Sequence, residues 1–162
     1  MIQKLILEMI AYDKGDAKRI QHFLKVHSLA RLIGLEEGLA DEELLILEAA
    51  AVVHDIGIHR CEEKYGICTG RYQEIEGPPL AEEMLERLGF SRTVIDRVSY
   101  LVGHHHTYKN ITGMDYQILV EADFLVNLYE DKAALVNIQA AYCSIFRTVS
   151  GKKLCKTMFG LN

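Results

Sequence analysis

Apolar residues along this chain recur at steps of three and four, and no stretch alternates long enough to suggest a strand. Residues 2–11 predict a short amphipathic helix ending near Asp13-Lys14-Gly15. Asp16 is placed to cap a second helix to about Glu37, with Gly38 as its stop. The apolar stripe of that helix reads Ile20, Phe23, Leu24, His27, Ala30 and Gly34. Asp41 caps a third helix running through Val53. It is apolar nearly all round, which predicts the central buried helix, and it stops at His54-Asp55-Ile56-Gly57. Residues 58–76 read as a long polar loop. Gly77-Pro78-Pro79 then opens a fourth helix, with proline at its start, ending at Gly89. Ser91 caps a fifth helix carrying Val94, Ile95, Val98, Leu101, Val102 and His105. A turn at 110–113 precedes a sixth helix over Asp115–Glu130 and a seventh over Lys132–Phe159, bent near Ser150-Gly151. The expected fold class is all-α, a compact bundle of six or seven helices.

Composition narrows the partners. A chain of 162 residues predicts one domain spanning residues 1–162, with a core that needs no disulfide. The formal charge of −5 argues against attachment to nucleic acid by bulk charge, but leaves a small phosphorylated substrate open. No apolar run approaches a membrane span, and the first residues lack a targeting pattern. Cys61, Cys68, Cys143 and Cys155 form no CxxC pair and read as reduced thiols, so the expected location is cytoplasmic. Exposed apolar residues on the first or last helix would suit a homodimer.

Seven histidines, three of them consecutive at 104–106, are the unusual entry. His54-Asp55 closes the greasy third helix, where imidazole and carboxylate could turn toward one point and bind a transition metal. A capping pair at a helix end is the plainer reading of that dipeptide. Asp123 interrupts the apolar stripe of the sixth helix, between Leu119 and Val126. An unpaired buried carboxylate is costly, so it needs a cation, a metal or several donors. His105 continues the inward face of the fifth helix. His27 lies in the stripe of the second, where a lone histidine is more often simply a satisfied core residue.

The ordered set His27 … His54-Asp55 … Asp123 resembles the H…HD…D pattern of the HD-domain superfamily of metal-dependent phosphohydrolases. The flanking text "VHSLARL", "AAAVVHDIGI", "VEADFLVNL" and "FRTVSGKKL" is similar too, and the likeness covers about residues 20–155. The resemblance implies a helical domain around a divalent ion (Mn, Co, Ni, Fe, Zn or Mg) held by His27, His54, Asp55 and Asp123. Some branches hold a second ion. The resemblance would place its ligands at Glu76, where those branches carry histidine, and at His105, with His104 next. It also implies hydrolysis of a small phosphate ester, such as a nucleotide or related metabolite. Asp55 would hold both metal and water, and Arg31, Lys64 and Arg71 would neutralise the phosphoryl group. Lys109 is a weaker candidate for that task. His22, His59 and His106 are expected to lie at the surface. A di-iron oxygenase of the same fold and a non-catalytic sensor or interaction module are the alternatives.

Overall fold

A computed structural model describes all residues from Met1 to Asn162. It has nine helices and no strand: α1 (Ile2–Tyr12), α2 (Ala17–Glu36), α3 (Asp41–Val53), α4 (Ile58–Tyr65), α5 (Gly70–Arg87), α6 (Arg92–Val102), α7 (Met114–Glu130), α8 (Leu135–Ser144) and α9 (Val149–Phe159). The all-α expectation holds. The count exceeds it because two segments behave differently from their local pattern.

The strongly patterned elements form where expected. Asp16 accepts a hydrogen bond from the Arg19 backbone N–H at 3.0 Å and so caps α2. Ser91 caps α6 by accepting from Val94. In α3, Ile46, Leu47 and every residue from Ala49 to Val53 are buried, and the helix packs against α1, α2, α6 and α7. Small alanines at 49–51 let several helices approach this one, and burial of the larger side chains drives that approach.

The segment 58–76 is not a loop. Ile58–Tyr65 forms α4, with Cys61 buried beneath it and Gly66 closing it in the left-handed conformation. The chain turns briefly, and Thr69 caps α5 by accepting from the Tyr72 N–H at 3.3 Å. The prolines therefore lie inside α5 rather than at its start. Pro78 and Pro79 cannot donate to the carbonyls one turn earlier, and interior proline is locally unfavourable. Tertiary contacts hold the first two turns in place. Gln73 meets His106 Nε2 at 3.1 Å, and Glu74 accepts from the His106 N–H at 3.1 Å and the Thr107 hydroxyl at 2.9 Å.

The expected seventh helix is two. The break falls at Ile145–Thr148, ahead of the expected bend, because Glu121 is wholly buried and pulls the chain inward there. Its carboxylate accepts from the backbone N–H groups of Arg147 (2.6 Å) and Thr148 (2.9 Å) and from the Thr148 hydroxyl. Thr148 in turn caps α9.

A close crossing joins α5 to the end of α3. A Cβ on Gly57 would sit 2.9 Å from the Gly77 nitrogen and 3.2 Å from the Gln73 carbonyl oxygen, both rigid backbone. Gly57→Ala should therefore lower stability by about 1–3 kcal/mol. Chemical denaturation checks this, and an unchanged midpoint would show that the crossing tolerates a methyl group.

Candidate metal centre

Four polar side chains meet in the core. His22 comes from α2, His54 and Asp55 from the end of α3, and Asp123 from α7. His22, His54 and Asp123 are buried, while the Asp55 side chain is 22% exposed. His22 Nε2 lies 3.3 Å from His54 Nε2, 3.2 Å from Asp123 Oδ1 and 3.6 Å from Asp55 Oδ2. His54 Nε2 lies 3.5 Å from Asp55 Oδ2 and 3.6 Å from Asp123 Oδ1. Four ligands at ~2.0–2.2 Å from one tetrahedral ion stand ~3.3–3.6 Å apart, so this spacing suits a shared ion.

Tautomers point the same way. His54 Nδ1 is 2.9 Å from the Ala51 carbonyl, and His105 Nδ1 is 2.8 Å from that of Val102. A carbonyl only accepts, so both rings donate from Nδ1 and turn Nε2 toward the centre. His22 Nδ1 faces Glu130 Oε2 at 2.9 Å, and the other Glu130 oxygen accepts from Lys25 at 2.5 Å. A carboxylate behind a ligating histidine fixes the ring and raises its basicity. Asn127 donates to Asp123 Oδ1 at 2.9 Å, giving that oxygen a fixed direction.

Asp55 also faces a second group. Its Oδ1 is 3.5 Å from His105 Nε2, a fully buried nitrogen with no hydrogen-bond partner. His106 stacks on His105 at 4.0 Å between ring centroids, and Asp55, His105 and His106 could together hold an ion. Native proteins rarely leave a buried ring nitrogen unpaired. That orphaned atom, aimed at a carboxylate, is the strongest local sign that a cation belongs here.

The charges are strongly perturbed. Burial disfavours the charged His54 ring, but Asp55 and Asp123 outweigh burial and raise it to about 9. His22 is raised too: burial and the charge of His54 oppose this, and the hydrogen bond it donates to Asp123 and the charges of Asp55 and Asp123 prevail. Burial pushes Asp55 up, yet His54 and His105 hold it at about 2. Asp123 is likewise driven below the carboxylate range, against its burial, by His22 and His54. Burial and the neighbouring His105 push His106 down to about 4.

Several expected residues lie elsewhere. His27 is not in the group: its Nε2 is 2.9 Å from Glu48 Oε1. The expected stripe holds at Phe23, Ala30 and Gly34, but the buried face of α2 takes in His22, Val26 and Ile33 rather than His27. His22 thus occupies the place assigned to His27. Its spacing of four and eight residues before Val26 and Ala30 was the available signal. Arg31 is half exposed and pairs with the same Glu48 at 3.2 Å, away from the centre. Glu76 is in neither group; it accepts from Lys64 and from the Tyr65 hydroxyl, each at 2.6 Å. That pair satisfies both charges, so Lys64 does not face the centre either. Arg71 is exposed on the first turn of α5. His104 turns outward to stack on Tyr100, and His106 takes the inward place. His59 binds Asp13 at 3.1 Å.

A cleft of about 250 Å³ reaches His22 and Asp55 from solvent. Lys18, Arg19, Asn127 and Asp131 are among its walls. Arg19 is steadied by Asp16 (3.2 Å), Glu62 (2.6 Å) and His59 (2.8 Å). Neither Lys18 nor Arg19 stood out in the sequence, because both read as ordinary charges at a helix start.

The geometry defines an all-helical protein with a buried imidazole–carboxylate centre suited to a divalent ion. The HD domain family profile matches residues 19–141, and the chain belongs to that family. Among solved structures, the crystal structure of a predicted HD superfamily hydrolase from an uncultured Thermotogales bacterium is similar. It shares 23% identity over 98% of this chain and 83% of that chain, with a TM-score of 0.66, which establishes the fold. No curated protein matches the chain. No helix is long and apolar enough to cross a membrane.

Three measurements test the centre. His22→Ala should abolish tight binding of a divalent metal and His27→Ala should retain it, as read by calorimetry; the reverse would restore His27 as the ligand. Glu130→Gln should weaken metal affinity about 10–100-fold by loosening His22. The third concerns the metal-free protein. Raised in the fold from 6.5 to about 9, His54 contributes stability that is complete below pH 6.5 and lost as pH rises through about 9. Asp55, lowered from 3.8 to about 2, contributes above pH 3.8 and loses that contribution toward pH 2. Thermal melts in chelator should therefore fall between pH 6.5 and pH 10, and added divalent metal should flatten the decline. A melting temperature independent of pH over that range would contradict this.

Proposed function

We propose that the protein is a divalent-metal-dependent phosphohydrolase acting on the phosphate ester of a small molecule, a nucleotide or a related metabolite. The observation that carries this reading is the position of Asp55. One of its oxygens faces His22 and His54, the other faces His105, and the side chain opens onto a cleft walled by Lys18 and Arg19. Family membership supports it as well.

The residues that would hold the metal are His22, His54, Asp55 and Asp123, with His105 and His106 beside Asp55 for a second ion. Such an ion, when bound, lowers the pKa of a coordinated water and polarises a phosphoryl oxygen. The chain's own groups do the rest. Lys25 and Glu130 keep the His22 ring in one orientation, and Asn127 does the same for Asp123. Lys18 supplies positive charge at the mouth, where a phosphoryl group must be neutralised. Arg19 is held by Asp16 and Glu62, which neutralise its charge, so it shapes the cleft wall. Lys18 has no ion-pair partner and is free to turn toward an anion.

The group formed by Asp55, His105 and His106 also favours a second reading, a two-iron oxygenase. Iron at about two per chain with oxygen consumption would select it.

Phosphate release from a panel of phosphate esters, assayed with Mn, Co, Ni, Fe, Zn or Mg, tests the principal reading. Wild type should release phosphate with at least one metal, and chelator should stop it. Asp55→Ala should lose at least a thousandfold in kcat/KM while keeping its helical circular dichroism. A wild-type protein inert with every metal would overturn the proposal.

A further inference from the structure

The cleft above Asp55 has the walls of a site for a polar leaving group. Ile58 is its one hydrophobic lining residue, and the one ring among its walls is the His22 imidazole, already held between Glu130 and the centre. At about 250 Å³ it has room for a phosphoryl group and little beyond a sugar-sized fragment. A purine or pyrimidine read by a protein ordinarily needs an aromatic or apolar face to stack on, and beyond the engaged His22 ring this wall offers only the Ile58 side chain.

Three polar groups here retain free capacity. Lys18 is exposed and unpaired. Asp131 closes α7 and makes no ion pair. Asn127 spends its amide N–H on Asp123 Oδ1, which leaves its carbonyl oxygen as an acceptor fixed in direction. Lys18 thus offers positive charge for a phosphoryl group, while Asp131 and the Asn127 oxygen can only accept hydrogen bonds. An acceptor fixed in a partly buried wall, as the Asn127 oxygen is, selects ligands that carry donors, because a ligand without them leaves it desolvated and unpaired, and the exposed Asp131 carboxylate adds a second acceptor at the rim.

Resting on the phosphohydrolase reading above, we propose that the substrate's leaving group is recognised through hydrogen-bond donors, hydroxyl or ammonium, on its carbon skeleton next to the phosphate, met by Asn127 and Asp131, and that a nucleobase is not read. A nucleotide would bind by its phosphate and ribose with the base outside the cleft.

The test is steady-state hydrolysis by the metal-loaded protein of four esters: ribose 5-phosphate, phosphoethanolamine, n-butyl phosphate and AMP. Ribose 5-phosphate or phosphoethanolamine should exceed n-butyl phosphate at least tenfold in kcat/KM. Whichever of the two leads identifies the donor as hydroxyl or ammonium. AMP should fall within about threefold of ribose 5-phosphate. Asp131→Ala should shrink the preference for the donor-bearing ester over n-butyl phosphate at least fivefold, mainly through KM. Equal rates for n-butyl phosphate and the donor-bearing esters overturn the proposal, as does AMP tenfold above ribose 5-phosphate. Both of those results leave phosphate release intact and so spare the phosphohydrolase reading. Silence on all four esters with every metal overturns both.

Discussion

The carboxylates of Asp55 and Asp123 stand side by side deep in the bundle, and much of the structure answers the cost of keeping them there. Removing a carboxylate from water costs several kcal/mol unless opposite charge and hydrogen bonds replace the solvent. Around Asp55 and Asp123 that replacement comes from imidazoles on three segments, together with Asn127. With no metal present, protons on His22 and His54 do the neutralising, which explains their raised affinity for protons. A divalent ion would take over that role, and metal and proton then compete for the same nitrogens.

The rest of the fold can be understood as support for this arrangement. The apolar length of α3 ends at His54-Asp55, so the helix delivers an imidazole and a carboxylate at the point where it leaves the core. Glu130 reaches back from the end of α7 to orient His22, and Lys25 keeps Glu130 charged. On the other side, α5 passes close over Gly57 and ties down the 104–107 turn through Gln73 and Glu74. That contact sets His106, not His104, beside Asp55. One carboxylate thereby faces two groups of imidazoles, and the position of α5 governs whether the second group forms.

Pairing between neighbours removes residues from chemistry as effectively as distance does. Glu76 and Lys64 looked like a ligand and a phosphate contact when taken singly. Together they satisfy one another, and neither is left to serve the centre. His27 and Arg31 are engaged in the same way by Glu48. The cations that do face the cleft, Lys18 and Arg19, carry no local mark in the chain. They matter because the start of α2 lies over the end of α3.

Periodicity by itself determined the all-α class, the buried course of α3 and the inward Asp123 on α7. These follow from spacing within one element, where a side chain three or four residues away is a neighbour in space. The tertiary structure alone decided that His22 and not His27 joins the centre. His22 and His27 stand five residues apart, about 140° around a helix, so only one of them can face the core. The tertiary structure also decided that 58–76 forms α4 and the first turns of α5, with Pro78 and Pro79 inside that helix, and that the last helix breaks where Glu121 collects its donors. Those outcomes depend on partners tens of residues away, whose contacts outweigh local preference and leave no pattern in the segment they act on.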